Sequence, residues 1–166
     1  MSDIPLTGEV SNSKLAAVFD SEAVARPIWK LADGELHRAD GRLWWLSGQW
    51  LRPLDPLDLP CDRLCASVVL PGNGHVHLQG ELPQGRWHLR YRQGGESLRV
   101  PGRGSRDLKR LLNELRVPAF VRPRLPLLFE GSELMAVANL SHPAGIEASG
   151  AHLHWSPPIC AQGLSW

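Results

Sequence analysis

The sequence predicts an α+β protein: a small N-terminal helix-plus-hairpin piece, then a C-terminal, mostly antiparallel sheet domain with one main basic helix. Three observations lead there. Short runs that alternate apolar and polar residues lie on both sides of a single strongly amphipathic stretch, which argues for strands around one helix rather than a βαβ repeat. Turn signals separate those runs at close intervals: Asp40-Gly41, the Pro71-Gly72-Asn73-Gly74 cluster, and Glu130-Gly131-Ser132. Between Arg52 and Pro60, prolines at 53, 56 and 60 break any regular pattern and divide the chain.

In chain order, residues 1–12 are polar and expected to fray. Leu15, Val18 and Phe19 support a short helix from Ser13 to about Ala25, ended before Pro27. Glu35–Arg38 and Arg42–Leu46 flank Asp40-Gly41 as a hairpin; in the second strand Trp44 and Trp45 must point to opposite faces, one to the core and the other to solvent or a neighbour. The expected division is 1–51, a proline-rich linker or extended edge at 52–63, and 64–166. Downstream, strands are expected at Ser67–Leu70, His75–Gln79, Trp87–Arg92, Leu98–Val100, Leu127–Phe129, Leu134–Ala138 and His152–Trp155.

The helix is expected within Ser105–Leu115. Leu108, Leu111, Leu112 and Leu115 recur at i, i+3, i+4 and i+7 and form one stripe, with Arg106, Lys109, Arg110 and Asn113 opposite. Ser105 is the expected N-cap, Asp107 complements the helix dipole from the first turn, and Pro118 ends the helix. The formal net charge of +1 conceals a separation. Arg86–Arg124 holds eleven cations against three acids, a net of +8, while the remainder carries −7. Ten of the eleven are arginine, whose fork matches phosphate bidentately. Such asymmetry speaks of partners rather than of fold.

The blocks Gly94-Gly95-Glu96, Gly102–Leu112, Val117–Arg122, Leu125–Phe129 and Leu134–Ala138 resemble the C-terminal domain of bacterial tRNA(Ile)-lysidine synthetase. Ala119, Phe120 and Pro123 depart from the residues usual there. Upstream, Glu35–Leu46 is similar to the end of that family's middle, substrate-binding domain, which assigns 1–51 to it and 64–166 to a tRNA-binding domain. The resemblance implies a part of an ATP-dependent ligase that joins lysine to the wobble cytidine of an isoleucine tRNA. ATP and Mg serve the parent enzyme's catalytic N-terminal domain, whose Ser-Gly-Gly-x-Asp-Ser nucleotide loop has no counterpart in this chain. No cofactor and no catalytic residue are therefore expected here. The partners implied are tRNA(Ile) and that catalytic domain. The expected RNA contacts are Arg90, Arg92, Arg99, Arg103, Ser105, Arg106, Lys109, Arg110, Arg116, Arg122 and Arg124, which would read phosphates and 2′-hydroxyls, since side chains cannot enter the deep groove of an A-form stem.

A rival reading is a basic protein-interaction module with no RNA role. A third is a zinc hydrolase built on His75 with His77 and His152 with His154, each pair on one face of a strand; no carboxylate stands beside them as a base, so they are taken as structural and no metal is expected. Cys61, Cys65 and Cys160 are an odd number without a paired framework, favouring reduced thiols. No window approaches a membrane span and the N-terminus lacks a signal peptide, so a cytoplasmic protein with no membrane partner is expected.

Overall fold

In the computed structural model of the chain, residues 28–61, 67–100, 104–140 and 151–158 are described. The predicted helix at Ser13–Ala25, Cys65, Arg103 and Cys160 lie outside them. The described residues are mostly strand, with one α-helix, which agrees with the α+β expectation.

Strands β1 (Ile28–Leu31), β2 (Gly34–Ala39) and β3 (Arg42–Leu46) form an antiparallel three-stranded sheet in that order. The β2–β3 turn is Asp40-Gly41, with φ of +49° and +71°. Positive φ at both central residues is the mirror-image turn whose twist matches the flanking strands, which is why Asp-Gly marks a hairpin. Trp44 is buried at the core while Trp45, one residue on, lies on the other face and is half-buried.

A second sheet has six strands in the order β4 (Asp58–Pro60), β7 (Trp87–Arg90), β10 (Leu127–Glu130), β11 (Glu133–Val137), β8 (Ser97–Val100) and β9 (Gly104–Asp107). All neighbours are antiparallel except β8 and β11, which run parallel at Leu98 and Leu134. The proline-rich stretch is thus not irregular throughout: Asp58–Pro60 pairs with β7 as an edge strand. At the edge, Pro60 can lack an N–H without breaking a ladder on its outer side. A third sheet sets β6 (His75–Gln79) between β5 (Val68–Val69) and β12 (His152–Ser156). Gly74, at φ +72°, lets β12 approach: a Cβ there would lie 2.0 Å from the Ser156 carbonyl oxygen.

The helix α1 (Leu108–Glu114) is shorter than its leucine pattern suggests. Leu108, Leu111 and Leu112 are buried, but Leu115 is 46% exposed, because the helix ends before it. The N-cap is Asp107, whose carboxylate accepts the Arg110 amide at 2.8 Å, and not Ser105. Pairing with β8 holds Gly104–Asp107 extended, so Ser105 and Arg106 belong to β9 and the helix starts two residues later than a Ser105 cap requires. Its end is set before Pro118. Arg116 takes the left-handed conformation (φ +54°), its amide donates to Asn113 O, and the Val117 amide donates to Leu112 O, both at 3.0 Å. Those two bonds are a Schellman cap, with Arg where Gly is usual.

Leu70, Val76, Leu89, Leu98, Leu108, Leu112, Leu127 and Leu128 are essentially inaccessible. Each such burial is worth about 1.5–3 kcal/mol relative to exposure. Leu46 and Trp50 join the same core as these residues, and half-buried Phe120 meets Trp44 and Trp50 at 5.9 and 6.0 Å between ring centroids.

Candidate nucleic-acid interface

The predicted cations divide into four groups. The first lies along a groove of about 490 Å³ where the Gly94-Gly95 turn, β8 and β9 face Phe129. Arg99 and Ser105 are register partners, share one face of the β8–β9 ribbon and are exposed on it. Arg90 reaches the same groove, its guanidinium 5.4 Å from the Phe129 ring centroid and bonded to Asp58 at 3.2 Å. Hydrogen bonds from His88 and then Arg90 hold the Asp58 carboxyl below its ordinary value. Arg92 turns instead to Glu96, at 3.3 Å. Glu96 also accepts the amides of Gln93 and Gly94, which ties the turn. Burial pushes the Glu96 carboxyl up, but those amides and Arg92 outweigh it and the pKa falls below the ordinary 4.5.

The second group lies on the other side of the ribbon. Leu98 and Arg106 share that face, with Leu98 buried, and Arg106 reaches Glu114 of α1 at 2.9 Å. Glu114 also holds Arg110, which remains 80% exposed, while Lys109 is exposed beside it. Exposed ion pairs of this kind are worth at most about 1 kcal/mol, so they orient these cations without preventing them from meeting a polyanion. The basic surface is therefore two-sided, with Arg99 and Ser105 on one face and Arg106, Lys109 and Arg110 on the other.

The third group surrounds the loop after α1. Arg116 pairs with Asp40 of the β2–β3 turn at 3.2 Å. Arg122 donates to the Val117 carbonyl at 2.8 Å and to the Asn113 side chain. Arg38, outside the basic segment of the sequence, lines the same cleft as both. No local signal could have placed it there, because its approach depends on how the hairpin packs.

The fourth group is Arg124 alone, and here the expectation of a surface contact is corrected. Arg124 is 5% exposed, stacks on Trp50 at 5.1 Å and donates to the carbonyls of Gln49, Trp50, Arg52 and Gly72 and to Asn73 Oδ1. Burial lowers its pKa. Asn73, wholly buried, returns a bond from Nδ2 to the Arg124 carbonyl, donates to the Tyr91 hydroxyl, and accepts Trp155 Nε1 at its own carbonyl. The turn cluster at Pro71–Gly74 thus contains a polar hub as well as a turn.

The two histidine pairs do meet. β6 and β12 pair with His77 opposite His154 and His152 opposite Gln79, and all four imidazoles stand on one exposed face. The His152 and His154 rings are 6.4 Å apart. Among the described residues, no group of three or more His, Cys, Asp or Glu is arranged to hold a metal ion. The buried Cys61 thiol donates to the Leu59 carbonyl. No helix among the described residues is long and apolar enough to cross a membrane.

Among the described residues these elements define a mostly antiparallel α+β sheet domain with one short helix and an arginine-rich, two-sided surface. Residues 87–156 match the family model of the TilS substrate C-terminal domain. The chain is 57% identical over 148 residues to the tRNA(Ile)-lysidine synthase of Pseudomonas fluorescens (strain Pf0-1), covering 89% of this chain and 33% of that protein. It is 50% identical over 141 residues to that of Pseudomonas aeruginosa, and 32% over 143 residues to that of Escherichia coli O157:H7. The chain belongs to the tRNA(Ile)-lysidine synthase family, as a C-terminal piece of it. It spans about a third of the length of the curated relatives it matches.

Proposed function

We propose that this chain is the tRNA-binding portion of a tRNA(Ile)-lysidine synthase, contacting the RNA through its backbone. The observation that carries this reading is a coincidence of positions. The +8 segment Arg86–Arg124 falls almost entirely within residues 87–156, which match a domain described as a substrate domain. The contact set consists of Arg90, Arg99, Arg103, Ser105, Arg106, Lys109, Arg110, Arg116 and Arg122, with Arg92 shaping the Gly94-Gly95 turn; Arg124 is left to the core. Exposed arginines on strands and a helix face suit phosphates and 2′-hydroxyls, so the tRNA would be recognised by shape and distance.

In this reading 1–51 is the end of the middle domain, 52–63 joins it to the tRNA-binding domain at 64–166, and the protein works in the cytoplasm beside a catalytic N-terminal domain. That domain would consume ATP with Mg and transfer lysine to the wobble cytidine of tRNA(Ile). The test is an electrophoretic mobility shift with isoleucine tRNA and a mismatched tRNA across a salt series. Binding that weakens steeply with salt is expected, as counterion release requires. Salt-insensitive binding, or none, would overturn the reading in favour of a protein-docking module.

A further inference from the structure

A second feature lies beside the helix face, where the β1–β2 side of the N-terminal sheet meets the α1 end and the loop after it. The cleft between them has a volume of about 600 Å³, within the roughly 300–1,000 Å³ usual for small-ligand sites. Its walls include Ile28, Pro118, Ala119 and Phe120; Ile28 is 52% exposed and Phe120 is half-buried against His37. Arg38, Arg116 and Arg122 also line it, against one acid, Asp40, whose carboxylate is already paired with Arg116. An apolar interior bordered by guanidinium groups suits a flat base with a phosphate attached. A duplex is far too wide to enter.

Arg116 supplies an independent sign. It stands at the αL position that ends a helix, where glycine is the default and a side chain is strained. Its guanidinium nevertheless reaches the cleft and is 77% exposed. Strain at a residue whose side chain packs so little suggests that the side chain is retained for something other than folding.

We infer that this cleft receives one unstacked nucleotide of a single-stranded RNA segment, its base against Phe120 and Ile28 and its phosphate at Arg116 and Arg122. The inference rests on the RNA-binding reading but adds a different class of contact from the backbone contacts of the helix face. Short single-stranded homopolymeric RNAs and a blunt RNA duplex, each fluorescently labelled, are titrated into the wild-type chain and the Arg116→Gly, Ile28→Glu and Arg110→Gln variants, with thermal unfolding recorded for each. Arg116→Gly should lower single-strand affinity about tenfold, the loss of one charge-assisted contact, while leaving unfolding temperature unchanged or raised, because glycine relieves the αL strain. A merely structural role for Arg116 would lower it instead. Ile28→Glu should weaken single strands similarly and the duplex little; Arg110→Gln should do the reverse. Folded Arg116→Gly and Ile28→Glu proteins that bind single strands as wild type does would overturn the cleft assignment while duplex binding leaves the broader reading standing. Absence of all RNA binding by the wild type would overturn both.

Discussion

Arg110 and Arg124 belong to one basic run of the sequence, yet they do opposite work. Arg110 projects from α1 into solvent and is steadied by Glu114. Arg124 is enclosed and gives its protons to four backbone carbonyls and Asn73 Oδ1. Charge in a sequence therefore reports neither surface nor site; the number and kind of acceptors around each guanidinium does. At Arg110 water is always an alternative partner. At Arg124 one guanidinium gathers the carbonyls of Gln49, Trp50 and Arg52, so it clamps the segment after the first sheet onto the rest of the core.

The most severe way to break that contrast is Arg124→Met. The hydrophobic stem is kept, but five acceptors lose the guanidinium, among them the Trp50 carbonyl and Asn73 Oδ1 in buried bonds, and removing one partner from a buried charged network costs about 3–5 kcal/mol. Chemical denaturation should show a loss of that size, and Arg124→Lys should recover only part of it, because an ammonium cannot span acceptors arranged for a planar fork. A loss under about 1 kcal/mol would mean that the carbonyls find water and that Arg124 resembles Arg110 after all.

Leu111→Ala tests the two faces of α1 itself. Leu111 is 2% exposed, and truncating a core leucine costs roughly 2–5 kcal/mol through lost transfer energy and a cavity. Equilibrium unfolding monitored through the tryptophans would report it, since Trp50, Trp87 and Trp155 belong to the same core.

These predictions draw on parts of the molecule that were unequally legible in the sequence. The Asp40-Gly41 hairpin and the alternation of β6, with His75 and His77 out and Val76 and Leu78 in, could be read directly because turn chemistry and strand period are local. β9 could not. Gly104–Asp107 is polar and reads as a helix cap, and only pairing with β8 makes it a strand and moves the cap to Asp107. The prolines left a linker and an extended edge equally open, and only pairing with β7 makes Asp58–Pro60 an edge strand, since an edge position is a property of the sheet rather than of the residues. For the candidate site, the charge count marked a basic segment but could not divide its cations between two faces, bury Arg124, or bring Arg38 to Arg116. Each of those outcomes depends on contacts between residues distant in the chain.

A smaller effect sharpens the comparison through pH. Glu96 has a depressed carboxyl pKa in the fold, held there by the Gln93 and Gly94 amides and Arg92 against the opposing effect of burial. A group depressed on folding contributes stability above its unfolded pKa and loses that contribution as pH falls through the folded value. Glu96→Gln should therefore destabilise the protein at neutral pH, with the difference from wild type shrinking below about pH 4.5 and vanishing once wild-type Glu96 is protonated. A difference constant from neutral to strongly acidic pH would show that the turn does not depend on the charge.

The smallest expected effect on stability, and the one that bears most on function, comes from Arg106→Gln with Arg110→Gln. Both side chains meet Glu114 at the surface, and exposed pairs contribute at most about 1 kcal/mol each. Substitutions on a solvent face usually stay within about 0.5 kcal/mol, so the double variant should unfold close to wild type. Its RNA binding should change much more. Each phosphate released from a cation lowers the slope of log affinity against log salt by roughly 0.7–0.9, so the slope should fall by about one to two. The loss should be similar for matched and mismatched tRNAs, because phosphate contacts position the RNA without reading its sequence. Should the double variant stay folded with affinity and salt slope intact, Arg106 and Arg110 are only a solvated face, and the contrast with Arg124 reduces to burial without any difference in function.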